Sequence, residues 1–370
     1  MSNLRINLGG ILLGEELELK ENVNVELSEN NEILHVGNGY DSSAIDMRQF
    51  IMLPPLINAH THIADFTFPE IGIDKSIKEL VGDPNSEKYK YLKIYSNKII
   101  DGIKNFVIKS LKFGIVGLID FREEGIIGIV KAKNALKEFV NIRYYALGRL
   151  DSFDEKELDK LSKIADGYGL PDLKYHNEKE LTKIYQYFSV KIRAVHVAET
   201  KKQYIRDNIE NLISIYSPNL VIHGTHFTED EFNSLKEKEI PIVFCPRSNL
   251  WFGVGVPNIA LAYDSGVSVL FGSDNGSWIS PNLWKDLELA LLITRIQRPG
   301  SNYAKNILLS VTVNSYKLLN IDLSIKEGNR TYPILIKGEE IFQAHEKYVA
   351  IIKRASDNGI YSLGAIQNIS

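Results

Sequence analysis

Residues 51–65 read IMLPPLINAHTHIAD, an apolar run that ends in His60-Thr61-His62. Successive side chains of a strand point to opposite faces, so His60 and His62 would share one face at the end of a buried strand. Two imidazoles in that position make a pair of metal ligands. Alternatively, one histidine caps the strand and the other hydrogen-bonds in the core, because three-residue motifs recur by chance. The rest of the chain has to decide between these interpretations.

The composition is that of an ordinary globular protein. Of 370 residues, 44% are apolar and 24% charged, and the net charge of −4 gives no sign of a nucleic-acid or anionic-membrane partner. The chain has no stretch of eighteen apolar residues and no signal-peptide pattern at its start. Cys245 is the only cysteine, which excludes intrachain disulfides. We therefore expect a cytoplasmic protein that acts on a small molecule and binds neither nucleic acid nor membranes.

The pattern of apolar and polar residues changes twice along the chain. Short strand-like pieces fill the first fifty residues, whereas apolar strands alternate with amphipathic helices from residue 51 onward, as is typical of βα units. The last forty residues again have the pattern of short strands. The sequence thus predicts an α/β fold, a (β/α)8 TIM-like barrel over residues 51–324 with a small β-sandwich side domain built from both termini, residues 1–50 and 325–370. The strand candidates are Ile51–Asn58, Ile115–Phe121, Ile142–Arg149, Ile164–Leu170, Ile192–Val197, Leu220–His223, Ile240–Cys245 and Val267–Gly272 in the barrel, and Pro333–Ile336, Tyr348–Arg354 and Ile360–Leu363 after it.

Chemistry-bearing residues concentrate where the barrel strands end. Functional groups of such a barrel lie at the C-terminal ends of its strands. Five of the eight histidines fall there, together with an aspartate, and these are residue types that bind zinc or iron. The strand ends in question carry His60 and His62, His196–Glu199, His223–His226, Cys245–Asn249 and Ser273–Asn275. Such a concentration is hard to reconcile with histidines that serve packing alone.

At these positions the sequence resembles the amidohydrolase superfamily, in its cytosine, guanine and adenosylhomocysteine deaminase and triazine hydrolase branch. The resemblance spans nearly the whole chain, and it is greatest to archaeal amidohydrolases of uncertain substrate, which share the IDFREEG segment at 119–125. Five motifs occur in the order of that branch, namely LPPLINAHTH, HVAET, HGTHFT, CPRSNLWFGVGVPN and GVSVLFGSDNG. The superfamily often forms dimers, so a homodimer is also implied, although the sequence offers no interface.

The resemblance implies a mononuclear metal site. His60, His62, His196 and Asp274 would hold one divalent metal, zinc ahead of iron, with a water in the open position. Three neutral imidazoles and one carboxylate leave the ion net positive, so its water would be acidified toward neutral pH. Strand four, which in other branches carries a carboxylated lysine that bridges two metals, has no lysine, and Lys174 lies past it. This absence argues for one metal and for deaminase-type chemistry.

Three residues would move protons or polarise the reacting groups. Glu199 would protonate a ring nitrogen of the substrate and then deliver the proton to the leaving ammonia, a role that requires a raised carboxyl pKa. Asp274 would accept the proton of the attacking water. His223 would orient the hydroxide and polarise the developing oxyanion. Glu199 could instead be a surface salt-bridge partner, and His226 competes with His223 for the same role.

The residues that contact the substrate are less clearly indicated by the sequence. Arg122 follows strand two and Arg149 ends strand three, and both would bind an anionic or carbonyl group, or else form structural ion pairs. Ser248, Asn249 and Trp278 lie in loops at the barrel mouth, where an aromatic ring could stack on a heterocycle. The segment from residue 65 to 90 is too long for a plain βα loop, so we expect it to fold over the mouth.

Three functions fit this pattern. The first is a metal-dependent aminohydrolase that attacks an aminated heterocycle (a purine, pyrimidine, pterin or related nucleoside) and releases ammonia. The second is hydrolysis of another C–N or C–Cl bond, as in a cyclic amide or chlorotriazine, for which Glu199 would be dispensable. The third is a binding protein that kept the metal site without turnover.

Overall fold

The structure, a computed structural model, describes residues 3–81 and 85–362. Its strands are β1 Leu4–Leu13, β2 Glu18–Leu27, β3 Ile33–Asn38, β4 Ile45–Leu53, β5 Leu56–His62, β6 Ile115–Arg122, β7 Arg143–Gly148, β8 Gly167–Leu170, β9 Ile192–Val197, β10 Leu220–His223, β11 Ile242–Phe244, β12 Val269–Phe271, β13 Asp274–Asn275, β14 Ile334–Lys337 and β15 Ile360–Ser362. Its α-helices are α1 Ile77–Val81, α2 Glu87–Ile94, α3 Ile99–Lys112, α4 Gly125–Leu136, α5 Glu155–Ile164, α6 Glu178–Tyr187, α7 Lys201–Arg206, α8 Ile209–Tyr216, α9 Glu229–Glu237, α10 Pro246–Trp251, α11 Ile259–Ser265, α12 Leu283–Gln297, α13 Ala304–Ser310, α14 Val313–Leu318, α15 Glu339–Gln343 and α16 Lys347–Asn358. None of the helices in these described ranges is both long enough and apolar enough to cross a membrane.

The chain folds into two compact units. One comprises residues 1–57, 110–116 and 300–370, and the other residues 58–109 and 117–299. The domain boundaries predicted from the sequence, at residues 50 and 324, stay a prediction.

The first unit contains a mixed sheet built from both ends of the chain. Its strand order is β15-β14-β4-β1-β2-β3, with β1 antiparallel to β2 and parallel to β4. Apolar side chains alternate at the end of β2 and the start of β1, and they pack in one buried cluster on the sheet. This cluster includes Ile6, Leu8, Val23, Val25 and Leu335. The strands form a single sheet, so the predicted β-sandwich is not confirmed.

Three of the predicted strands are wrong in whole or in part. The predicted strand Ile51–Asn58 straddles two strands, since β4 ends at Leu53 and β5 begins at Leu56 after two prolines. Residues 348–354 lie in helix α16, which buries Ile351 and Ala355 on one face at helical spacing. Their short apolar run fits either period, and a run of that length does not distinguish a strand from a helix. Likewise α5 extends to Ile164, so β8 begins only at Gly167.

Parallel strands and intervening helices make up the second unit. The strand order is β12-β11-β10-β9-β8-β7-β6-β5-β13, so that each strand neighbours the next one in the chain. β13, which follows β12 closely, pairs in parallel with the far strand β5, Asp274 opposite Thr61 and Asn275 opposite His62. This confirms the predicted α/β fold, with parallel strands that curl as in a barrel. Because the strands are parallel, their C-terminal ends meet at one edge and gather the residues that end them.

The segment between β5 and α3 is partly helical. A 3-10 helix, Ile63–Thr67, follows β5 directly, and α1 and α2 come next. Residues 82–84 of this segment lie outside the described residues. The predicted insertion therefore brings short helices, rather than a bare loop, between the first strand and its helix.

Candidate metal centre

Four predicted ligands meet at the ends of three strands. His60 and His62 end β5, His196 lies near the end of β9, and Asp274 begins β13. Nε2 of His60 is 3.1 Å from Oδ1 of Asp274 and 3.2 Å from Nε2 of His196. Nε2 of His62 is 3.5 Å from the same Asp274 oxygen. All four side chains are buried, so the donor atoms converge on one point inside the protein.

The donor atoms fit a divalent metal ion. Ligand atoms of His60, His62 and Asp274 lie within 4.8 Å of one another, and so do those of His60, His196 and His223. Nδ1 of His196 is 3.2 Å from the carbonyl oxygen of Leu170, which can only accept, so Nδ1 donates. The unprotonated Nε2 of His196 therefore faces the other ligands, as metal coordination requires. Imidazole nitrogens together with a carboxylate are ligands that bind zinc and iron.

Burial keeps the imidazoles of His62, His196 and His223 neutral. It lowers the pKa of His62 to about 3 and of His223 to about 4, and holds the pKa of His196 well below its ordinary value. Burial disfavours the charge of Asp274, yet the hydrogen bond from His60 and the nearby imidazoles outweigh it and hold its pKa well below the usual range. At neutral pH the cluster thus combines these three uncharged rings with the carboxylate of Asp274.

Glu199 lies beside the cluster, opposite His223. Its Oε1 is 3.7 Å from Nε2 of His223. Burial, followed by the charges of Asp274 and Asp172, raises the pKa of Glu199 to about 8. The amide Nδ2 of Asn249 is 3.2 Å from Nδ1 of His223 and donates to it, so the neutral ring carries its proton on Nε2. Glu199 and His223 therefore both hold a transferable or donatable proton next to the cluster.

A cavity of about 510 Å³ opens onto these groups. His62, His196, His223, Glu199 and Asp274 all contribute to its wall. The segment after β5 contributes as well, because Ile77, Lys78, Val81, Lys88 and Tyr89 line it. This position agrees with the expectation that the segment covers the mouth of the fold.

Comparison with known proteins fixes the family. The sequence profile of the amidohydrolase family matches residues 51–331. The chain belongs to the amidohydrolase family. It is 31% identical over 338 residues to an uncharacterized protein of Methanocaldococcus jannaschii, covering 86% of this chain and 87% of that protein. It is 26% identical over 368 residues to a 5-methylthioadenosine/S-adenosylhomocysteine deaminase of Thermococcus sibiricus, covering 88% of this chain and 83% of that protein.

Solved structures share the fold of this chain. An atrazine chlorohydrolase from Arthrobacter aurescens, crystallised with zinc, superposes with a TM-score of 0.77 at 17% identity, over 94% of this chain and 91% of that one. At this identity the likeness shows a shared fold. The barrel-like arrangement of parallel strands in this chain is thus shared with that solved structure.

A layer of buried charges supports the cluster, and sequence reasoning missed most of it. Nδ1 of His62 is 2.9 Å from Oε1 of Glu123 and 3.0 Å from Nζ of Lys88. In the tautomer that donates Nδ1–H to Glu123, Nε2 of that ring faces the metal point unprotonated. Nζ of Lys88 is 2.6 Å from the same Glu123 oxygen and 2.8 Å from Oδ2 of Asp65. Burial opposes the charge on Lys88, but the two carboxylates outweigh it and raise its pKa. Glu123 was detectable as a strand-two residue of the IDFREEG segment, whereas nothing in the sequence pointed to Lys88.

The two predicted arginine contacts differ in position. Arg149 lines the cavity, where its guanidinium lies 3.4 Å from Oε1 of Glu123 and also contacts the Tyr89 hydroxyl. Arg122 is not among the described residues of the cavity wall. It is buried in ion pairs, 2.6 Å from Glu123 and 3.6 Å from Asp120, which is the structural alternative considered for it.

The remaining predicted substrate contacts, as far as the described residues go, also lie behind the cavity wall. Ser248 donates from Oγ to Oδ2 of Asp274 at 2.6 Å, and Asn249 fixes the ring of His223. Trp278 donates from Nε1 to the carbonyl of Ile71 and packs with Leu80. Ser248 and Asn249 therefore orient site residues, and Trp278 anchors the segment that covers the mouth.

Proposed function

We propose that this amidohydrolase is a mononuclear metal-dependent deaminase. Family membership makes it a hydrolase, and relatives named as deaminases support C–N bonds, other than peptide bonds, as those it cleaves. His60, His62, His196 and Asp274 would hold one divalent ion, with zinc as our first choice because a zinc-containing relative shares the fold. When bound, such an ion lowers the pKa of a water ligand so that hydroxide is available near neutral pH. We further propose the complete (β/α)8 barrel and the domain division at residues 50 and 324.

The observation that carries the proposal is Glu199 at the cavity floor beside His223 and Asp274. A carboxyl group with a pKa raised to about 8 holds its proton at neutral pH and can give it to a ring nitrogen of the substrate. Oδ2 of Asp274 accepts a hydrogen bond from Ser248 and Oδ1 faces the histidine nitrogens, so the carboxylate is held where it would accept a proton from the attacking water. Nε2–H of His223 faces the cavity as a donor for the oxygen that becomes negative in the transition state. The products would be ammonia and the corresponding oxo heterocycle.

The first experiment measures metal content and ammonia release together. Purified protein is analysed for zinc and iron and assayed with aminated purines, pyrimidines, pterins and triazines. We expect about one equivalent of metal per chain and ammonia from at least one ring class, and we expect His60→Ala and His62→Ala to lose both. Protein that holds no metal even after reconstitution, with both variants behaving like the wild type, would overturn the proposal.

The alternative substrates are separated by Glu199→Gln. Glutamine keeps the shape of the side chain and removes its acidic proton. Loss of ammonia release with retained metal supports the deaminase. Full activity of this variant on a cyclic amide or chlorotriazine would favour hydrolysis of another bond, and tight ligand binding with no product from any substrate would favour a binding protein.

A further inference from the structure

The wall of the cavity is basic, although the chain as a whole is acidic. Among the described residues, the wall carries six basic side chains and three acidic ones, while the formal net charge of the chain is −4. The basic residues are Lys78, Lys88, Lys174, Lys202, Arg149 and Arg206, and the acidic ones are Asp172, Glu199 and Asp274.

The positive charge that is not neutralised lies on the outer part of the wall. Lys88 and Arg149 are buried, and Glu123 pairs with both of them. Arg206 pairs with Asp172 and Asp207. Within residues 3–81 and 85–362, no ion pair joins Lys78 or Lys202 to a carboxylate, and both side chains are exposed. They come from two different helices, α1 and α7, so the wall presents a cation on each.

The size of the cavity leaves room beyond the reacting ring. Pockets of roughly 300–1,000 Å³ enclose whole drug-sized ligands, and the volume of about 510 Å³ lies within that range. A ring whose carbon reacts beside Glu199 and Asp274 occupies only the floor. A substituent on that ring would extend toward the outer wall, where basic side chains in a cleft attract and orient negative charge.

We propose that the substrate is an aminated heterocycle with an anionic substituent, a carboxylate or a phosphate, which binds at Lys78 and Lys202. The proposal rests on the deaminase function for the position of the ring and goes beyond it in the substrate class. Lys78 and Lys202 would act as specificity residues, since both side chains are exposed whereas His223 and Asp274 at the floor are buried.

The test compares compounds that share a ring and differ in whether the substituent carries a negative charge. The phosphate arm uses adenosine against adenosine 5′-monophosphate, and the carboxylate arm uses pterin-6-carboxylate against its primary amide. Dissociation constants are measured by calorimetry, which needs no turnover, and kcat/KM wherever ammonia is released. We expect the anionic member of at least one pair to bind about tenfold more tightly, with a preference that shrinks as salt rises from about 0.05 to 0.5 M. The arm that responds identifies the anion.

Charge reversal on α7 supplies a matched control. Lys202→Glu reverses the charge of a residue in the cavity wall. Lys201→Glu reverses the charge of its exposed neighbour, which does not line the cavity. We expect Lys202→Glu, alone and with Lys78→Glu, to remove the preference for the anion, and Lys201→Glu to keep it. Equal binding of charged and neutral members in both arms, or equal effects of the two α7 variants, would overturn the proposal. Ammonia release from neutral rings alongside either result would leave the deaminase function standing, so the two failures are distinguishable.

Discussion

At the scale of single residues, Lys88 links the segment over the mouth to the metal cluster. Its ammonium group bridges Asp65 and Glu123, and Glu123 accepts the hydrogen bond from His62. Without that cation, buried Asp65 would lose its ion pair while Glu123 kept Arg122 and Arg149, and a buried carboxylate that loses its partner is strongly unfavourable. We therefore regard Lys88 as a positioning residue that acts on His62 through Glu123.

Lys88→Met tests this role. Methionine keeps most of the volume and removes the charge, so Glu123 no longer holds His62 in the orientation that metal binding needs. We expect zinc affinity to fall by about tenfold or more, as for other groups that orient metal ligands, measured by competition with a chromogenic chelator. Lys88→Arg should restore part of the affinity.

The control for Lys88 lies on the same helix. Lys90→Met removes an exposed lysine whose partner is Glu87, so it should leave zinc affinity unchanged. A Lys88→Met protein with lower thermal stability but wild-type zinc affinity would show that the lysine is only structural.

At the scale of elements, the turn between β12 and β13 places the predicted ligand Asp274 next to β5. Gly272 lies between these strands, and a Cβ atom there would be 2.7 Å from the N, O and Cβ atoms of His60. No rotamer relieves a contact with backbone, so only glycine allows β5 and this turn to approach so closely. Asp274 follows two residues later with a φ of +63°, a left-handed conformation in which strand pairing holds it.

Gly272→Ala should therefore disturb both stability and the metal site. We expect the free energy of unfolding to fall by about 1–3 kcal/mol, the usual cost of overpacking, because β5 must shift at His60. Denaturant titration gives the stability and zinc titration the affinity, which should fall in parallel. Gly10→Ala, whose closest contact would be 3.2 Å to the Phe342 side chain, should cost less. Wild-type values for both measurements in Gly272→Ala would contradict this account.

At the scale of the whole molecule, the cluster couples stability to metal and to pH. Folding the metal-free chain buries neutral His62, His196 and His223, whose pKa values are lowered mainly by burial. Because the unfolded chain protonates such residues near pH 6.5 and the folded chain does not, stability is present above that pH and lost as the pH falls. Asp274, with its depressed pKa, acts in the same direction, while Asp65, whose pKa burial raises to about 6, opposes it.

Thermal unfolding with and without zinc measures this coupling. From about pH 7.5 to about pH 5, we expect the metal-free protein to lose roughly 2 kcal/mol for each of these histidines. At the higher pH, zinc at about 100 times its Kd should add about 2.7 kcal/mol. His35→Gln, which changes an exposed histidine paired with Glu327, should leave both effects intact. A melting temperature that is independent of zinc and of pH over this range would contradict the buried cluster.

The sequence by itself determined the local patterns. The α/β alternation, the histidines at strand ends and Asp274 were all readable, because strand and helix periods and ligand types are written in contiguous residues. It misassigned residues 348–354, where a short apolar run fits both periods. Only the tertiary structure brought Lys88 and Asp65 behind His62, turned Ser248 and Asn249 toward site residues, and joined Lys78 and Lys202 in one wall. The contacts of Asp65, Lys78 and Lys88 depend on the path of the segment from residue 65 to 90 over the strand ends, and those of the other three residues on helices that follow other strands. Packing decides both, and residue spacing does not encode them.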